Sequence, residues 1–183
     1  VGKFSSNKQR QLIADVMKTV GFPFDRGRLD ESPHAFTEGV PGDIRVTTRL
    51  DPTDIFTGLL GALHETGHAL YEQNLPQAWA HWPLGKARGM AIHESQSLFV
   101  EKQIGRNPAF WVWALPLVDK HLGEDWSIDD ILPHVHHGGR GLIRVDADEV
   151  AYPLHVILRF ELERELIAGT LSTANTRSAS SIN

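Results

Sequence analysis

His64-Glu65-Thr66-Gly67-His68 sets two imidazoles four positions apart with a glutamate beside the first. On an α-helix those histidines share one face, a turn apart. Both rings can then converge on a single metal ion while Glu65 stands beside them to take a proton from an attacking water. This is the device of zinc peptidases, in which the metal activates the water and polarises the scissile carbonyl. A catalytic zinc uses three protein ligands and keeps its fourth position open, so a third donor is needed. Glu94 fits. The stretch Arg88-Gly89-Met90-Ala91-Ile92-His93-Glu94-Ser95-Gln96-Ser97-Leu98-Phe99-Val100 reads as a second helix, with no proline until Pro108. The gap after His68 lets the first helix finish near Asn74-Leu75-Pro76 and the chain turn back. Ile92, Leu98 and Phe99 predict that the second helix is mostly buried, and a buried carboxylate needs a metal or a cation. The competing reading of Glu94 is a solvated surface glutamate.

The elements that must position these groups are mainly helical. Leu12, Ile13, Val16, Met17 and Val20 keep helical spacing up to a capping Gly21. Residues 22–41, punctuated by glycines and prolines, read as loop. Asp43 to Leu50 alternates as a strand, with Ile44 and Val46 on one face and Asp43, Arg45 and Thr47 on the other. The polar face either lines a cleft or is the solvated side of an edge strand. Asp51 and Pro52 read as N-cap and first residue of the metal-motif helix. Gly58, Gly61 and Gly67 inside it suggest close approach of a neighbour or tight packing. The Glu94 helix should end at Gly105. Asn107-Pro108 caps another helix to about His121, bent at Pro116 and carrying Trp111 and Trp113 as core or interface residues. Ser127 with Asp130 opens a short helix, and Asp146 with Glu149 opens a long one that closes at Gly169. His134, His136 and His137 read as a polar loop, because consecutive histidines splay apart and do not easily share a metal.

Taken in order, five motifs resemble those of the M32 metallocarboxypeptidases: His34-Ala35-Phe36, Asp43-Ile44-Arg45-Val46-Thr47, His64 to His68, His93-Glu94-Ser95-Gln96, and Ile143-Arg144-Val145-Asp146-Ala147-Asp148. Ala35 stands where the family has proline, and the family's closing Gly-x-x-Gln-Asp-x-His-Trp motif is absent. The resemblance implies a mainly α, gluzincin-like helical zinc-peptidase fold with a short β-region beside the metal helix. It also implies peptide substrates and a homodimer. On this reading His64, His68 and Glu94 hold Zn2+ (or Co2+) and Glu65 is the general base. A carboxypeptidase also needs a cation for the substrate's terminal carboxylate, and a guanidinium forks onto that group through two parallel hydrogen bonds. Arg144 is the first candidate and Arg45, beside Asp43, the second. The ordinary alternative is a structural ion pair, for instance Arg144 with Asp148. Tyr152 or His155 could supply an oxyanion donor. Another zinc hydrolase, endopeptidase or aminopeptidase, and a non-catalytic metal-binding fragment are the competing functions.

At 183 residues and 41% hydrophobic, the chain can bury one sizeable core. Its formal charge of −5 implies neither a nucleic-acid partner nor an anionic membrane. The absence of cysteine excludes disulfides and thiolate zinc sites and fits a cytoplasmic protein. No apolar run approaches the roughly 20 residues of a membrane span. Residues 1–171 are read as one catalytic-core region, the central portion of a longer helical protein or a shortened relative of the family, and residues 172–183 as a frayed polar tail. The 183 residues alone are expected to bind zinc, to self-associate and to hydrolyse peptides feebly.

Overall fold

The computed structural model describes residues 3–139, 141, 143, 144 and 147–175. They form two compact units, Val1–Val135 and His136–Asn183. In the first unit, α1 (Ser6–Val20) is capped by the Ser5 hydroxyl and closes at Gly21, whose φ of 109° suits glycine. Three strands follow: β1 (Gly27–Glu31), β2 (Phe36–Val40) and β3 (Asp43–Thr48). The sheet order is β1-β3-β2, with β1 parallel and β2 antiparallel to β3. Residues 22–41 are therefore not simply loop. Their glycines and prolines mark turns, but β1 and β2 draw their pairing from β3, a nonlocal partner that local composition does not reveal.

β3 is the central strand of the sheet rather than an edge. Ile44 and Val46 enter the core, while Asp43 and Arg45 stand on the outer face. Thr47, on that outer face, is nonetheless buried, because its hydroxyl is bonded to Ser32, to the His34 carbonyl and to the Phe36 amide.

α2 (Ile55–Gln73) packs across the inner face of the sheet. It begins three residues later than Asp51 and Pro52 suggest. Asp51 closes a turn by accepting from the Thr53 amide and hydroxyl, and Asp54 is the N-cap, accepting from the amides of Phe56 and Thr57. Leu59, Ala62, Leu63 and Ala69 bury its apolar stripe against Val16, Met17 and Val46 in one core. α3 (Met90–Leu98) crosses α2 and continues as a π-helical stretch, Phe99–Ile104. α3 is less buried than its apolar residues suggest: Ser97 is enclosed, but Ile92 and Phe99 are 52% and 55% exposed. The burial argument for Glu94 therefore fails, and its position must be judged from geometry.

α4 (Pro108–Leu122), capped by Asn107, lies against α1. Trp111 is fully buried and donates its indole N–H to the Gly105 carbonyl at 2.9 Å, whereas Trp113 is partly exposed. α5 (Ile128–Val135) opens with a reciprocal box in which Asp130 accepts from the Ser127 amide and Ser127 from the Asp130 amide. His134 stacks on Phe56 within the first unit.

The second unit is built around α6 (Ala151–Ile167). Asp148 caps it, accepting from the Val150 and Ala151 amides and from Gly139, and these amides hold its carboxyl down at about 2. Asp146 and Val145 lie outside the described residues, as do residues 176–183 of the expected tail. Gly169 has the positive φ of a helix terminator, 74°. Leu154, Phe160 and Ile167 on α6 are exposed. No helix among the described residues is long and apolar enough to cross a membrane.

Candidate metal centre

The helical spacing of α2 brings His64 and His68 to one face, and the crossing of α3 over α2 supplies Glu94. Glu94 Oε2 lies 3.6 Å from His64 Nε2 and 3.3 Å from His68 Nε2. The potential ligand atoms of all three residues fall within 4.8 Å of one another, and they form the metal-competent cluster found among the described residues. Gly67 permits the crossing. A Cβ there would stand 2.5 Å from the Gln96 carbonyl oxygen and 2.6 Å from Ser97 Cα, so only glycine lets the α3 backbone come this close.

Both histidines have their other ring nitrogen engaged. His64 Nδ1 meets Glu101 Oε2 at 2.9 Å. His68 Nδ1 meets His93 Nδ1 at 2.6 Å, and His93 Nε2 meets Glu72 Oε1 at 2.7 Å. Burial pulls the His64 pKa down, but the hydrogen bond and charge of Glu101, with the charges of Glu94 and Glu65, outweigh it and leave it raised. Burial likewise favours the neutral form of Glu101, and its bonds to His64 and Lys102 overcome this and lower its pKa. Glu101, Glu72 and the inner-facing role of His93 are absent from the motif-level reading of the sequence. The helical offset of seven residues that puts Glu101 on the same side as Glu94 is the signal that could have pointed to it.

Glu65 is 8% exposed and held by β2. Thr37 Oγ1 lies 2.7 Å from Glu65 Oε2 and 2.9 Å from the Glu65 carbonyl oxygen, so its one proton is shared between them. Thr37 is paired with Val46 in the sheet and so faces α2, opposite to Arg45. A cavity of about 820 Å³ opens beside the cluster; His68, Glu72 and His93 form one wall, Thr37 to Pro41 another, and the segment from Leu75 to Met90 a third.

The substrate-binding candidates fall in both units. Asp43 and Arg45 bind each other at 2.7 Å on the outer sheet face, away from α2, which is the structural ion-pair arrangement. Arg144 belongs to the second unit, where its guanidinium donates to Tyr152 Oη at 3.0 Å and lies over that ring. Asp148, the alternative partner for Arg144, is occupied by helix-capping amides. His155 Nε2 meets the Gly141 carbonyl at 3.1 Å. His136 pairs with Glu149.

A mainly helical fold thus carries two imidazoles and a carboxylate that could hold one metal ion on two crossing helices. Residues 1–180 match the family described as Carboxypeptidase Taq (M32) metallopeptidase, and the chain belongs to that family. It is 41% identical over 173 residues to carboxypeptidase 1 of Bacillus subtilis, a match covering 92% of this chain and 34% of that protein. It is 42% identical over 170 residues to thermostable carboxypeptidase 1 of Thermus thermophilus, covering 90% and 33%. Among solved structures, metallocarboxypeptidase 1 of Trypanosoma cruzi is similar at a TM-score of 0.93 and 41% identity, over 97% of this chain and 36% of that one. The chain thus spans about a third of the length of the curated relatives it matches. Membership of a metallopeptidase family implies a divalent metal.

Proposed function

We propose that the protein is a zinc metallocarboxypeptidase that removes C-terminal residues from peptides, with His64, His68 and Glu94 as metal ligands and Glu65 as general base. The observation that carries this reading is the separation of the donors. Ligand atoms around a tetrahedral ion with bonds of about 2.1 Å stand about 3.4 Å apart, and Glu94 Oε2 lies 3.3 and 3.6 Å from the two Nε2 atoms. Two imidazoles and a carboxylate are also a donor set that suits zinc; cobalt is the second choice.

When bound, zinc would lower the pKa of a coordinated water towards 7 and polarise the peptide carbonyl. Glu65, fixed by Thr37, accepts the proton of the attacking water and returns it to the departing amine. Glu101, bonded to His64 Nδ1, holds that ring. Arg144 is the proposed clamp for the substrate's terminal carboxylate, and Tyr152, which already binds its guanidinium, orients it. Arg45 and Asp43, turned away from α2 and paired with each other, are not carried forward in this role.

The family resemblance and the exposed apolar side chains, Trp79, Trp82 and Leu84 in one unit and Phe160 and Ile167 in the other, support self-association, and we read the protein as a homodimer. The absence of cysteine supports a cytoplasmic location. The test of the activity is a matched pair of peptides differing only in a free or amidated C-terminus, offered to the zinc-loaded protein. Cleavage confined to the free peptide is expected; equal cleavage of both would make this an endopeptidase or aminopeptidase.

A further inference from the structure

His68 and His93 meet nitrogen to nitrogen, and that contact constrains where the protons are. At 2.6 Å, one Nδ1 must carry the proton and the other must accept it. Glu72 meets the far nitrogen of His93 at 2.7 Å. An ionised carboxylate only accepts, so His93 Nε2 carries a proton. In a neutral ring this leaves His93 Nδ1 as the acceptor, and the proton between the rings belongs to His68 Nδ1. His68 Nε2 is then a bare lone pair, and it is this atom that stands 3.3 Å from Glu94 Oε2. The opposite order, with His93 donating from both nitrogens, would place a proton on His68 Nε2 and block it.

We infer that Glu72 and His93 form a positioning relay that locks His68 in its Nδ1–H tautomer and presents Nε2 to the metal. The inference rests on the reading of His64, His68 and Glu94 as ligands. The chain treats its two histidine ligands differently: His64 is braced by a carboxylate directly, His68 through an intervening ring. The His93 ring is well placed for the task. Its side chain is 15% exposed, the edge of Tyr71 packs against it with centroids 5.0 Å apart, and its position next to Glu94 ties it to the third ligand. Outer partners of this kind fix ring orientation and raise ligand basicity, and losing one typically weakens metal binding 10–100-fold.

The test is zinc affinity of the full chain, measured by competition with a chromophoric chelator at fixed pH, together with the thermal midpoint of the zinc-free chain. His93→Leu removes the acceptor and should weaken zinc about 10–100-fold. His93→Gln offers an amide oxygen to His68 and an amide N–H to Glu72, and should recover most of that loss. Glu72→Ala, on the partly exposed side of α2, should weaken zinc by a smaller factor and add nothing to His93→Leu in the double variant, because the carboxylate acts only through the ring. The zinc-free midpoints should stay together, which a packing role would not allow. Zinc affinity of both His93→Leu and Glu72→Ala within twofold of the unsubstituted chain would overturn the relay, as would a His93→Gln no better than His93→Leu. Undiminished affinity in His68→Ala would instead show that the ligand assignment beneath it is wrong.

Discussion

Gly67 and Ser97 are in backbone contact: a Cβ on Gly67 would stand 2.6 Å from Ser97 Cα. This approach sets where α3 crosses α2, and hence how far Glu94 stands from His68. Gly61, on the same helix, has only Thr48 Oγ1 nearby, at 3.7 Å from the corresponding position. The two glycines therefore respond oppositely to alanine. Gly61→Ala should gain up to about 1 kcal/mol from helix propensity. Gly67→Ala should lose about 1–3 kcal/mol by overpacking against backbone, and should weaken zinc binding as well. Denaturant titrations of the two variants, with zinc affinity alongside, check this; equal effects would mean the crossing does not depend on Gly67.

Glu65 and Glu94 separate by role. Glu65→Gln should retain zinc and lose on the order of 10²–10⁴ in turnover. Glu94→Gln should instead weaken zinc retention, because a neutral amide oxygen is a poorer ligand than a carboxylate. Zinc content and peptide hydrolysis measured on both variants decide it, and exchanged phenotypes would reverse the two assignments.

The metal motif was legible because it is local. Two histidines and a glutamate within five residues need only one helix to converge, and Leu59, Leu63 and Asn74 fixed that helix and its end. What the sequence hid is what depends on distant partners. β1 and β2 exist by pairing with β3. The helix start moved from Asp51 to Asp54 because Asp51 is consumed by a turn with Thr53, and both residues are equally good caps in isolation. The exposed Ile92 and Phe99 show that apolar content alone does not say which face is covered. The burial expected of Glu94 is absent, and the crossing of α3 over α2 is what brings it beside His64 and His68. Arg45 looked like a clamp from its motif, yet the pleat turns it away from α2 and Asp43 neutralises it.

Arg144→Ala tests the carboxylate clamp. The loss of a charge-assisted pair should cost on the order of 1.5–3 kcal/mol in kcat/KM for peptides with a free C-terminus. Amidated peptides, which lack the second charge, should change little. Kinetics on the matched peptides check it; equal losses on both would make Arg144 a structural partner of Tyr152.

Asp15 joins α1 to α4 by accepting from Lys120 at 2.9 Å and His121 at 2.8 Å. These bonds hold its carboxyl below the ordinary aspartate value. A depressed folded pKa contributes stability above the unfolded value of about 3.9, and the contribution disappears as pH falls through the folded value. With 40% of the Asp15 side chain exposed, water screens the pair, and its contribution stays below about 1 kcal/mol. Asp15→Asn should therefore lower stability slightly at neutral pH, with the difference closing in acid. Urea unfolding at both pH values measures it, and a difference that widened in acid would contradict the assigned charge state.

Zinc stoichiometry tests the central claim most directly. Elemental analysis of the purified, zinc-loaded chain should give one zinc per molecule, and the His64→Ala, His68→Ala double variant should give almost none, while a variant changed at His136 and His137 keeps its full complement. Full zinc occupancy in the His64, His68 double variant would contradict the account, since the two residues on which the whole site is built would then not hold the metal.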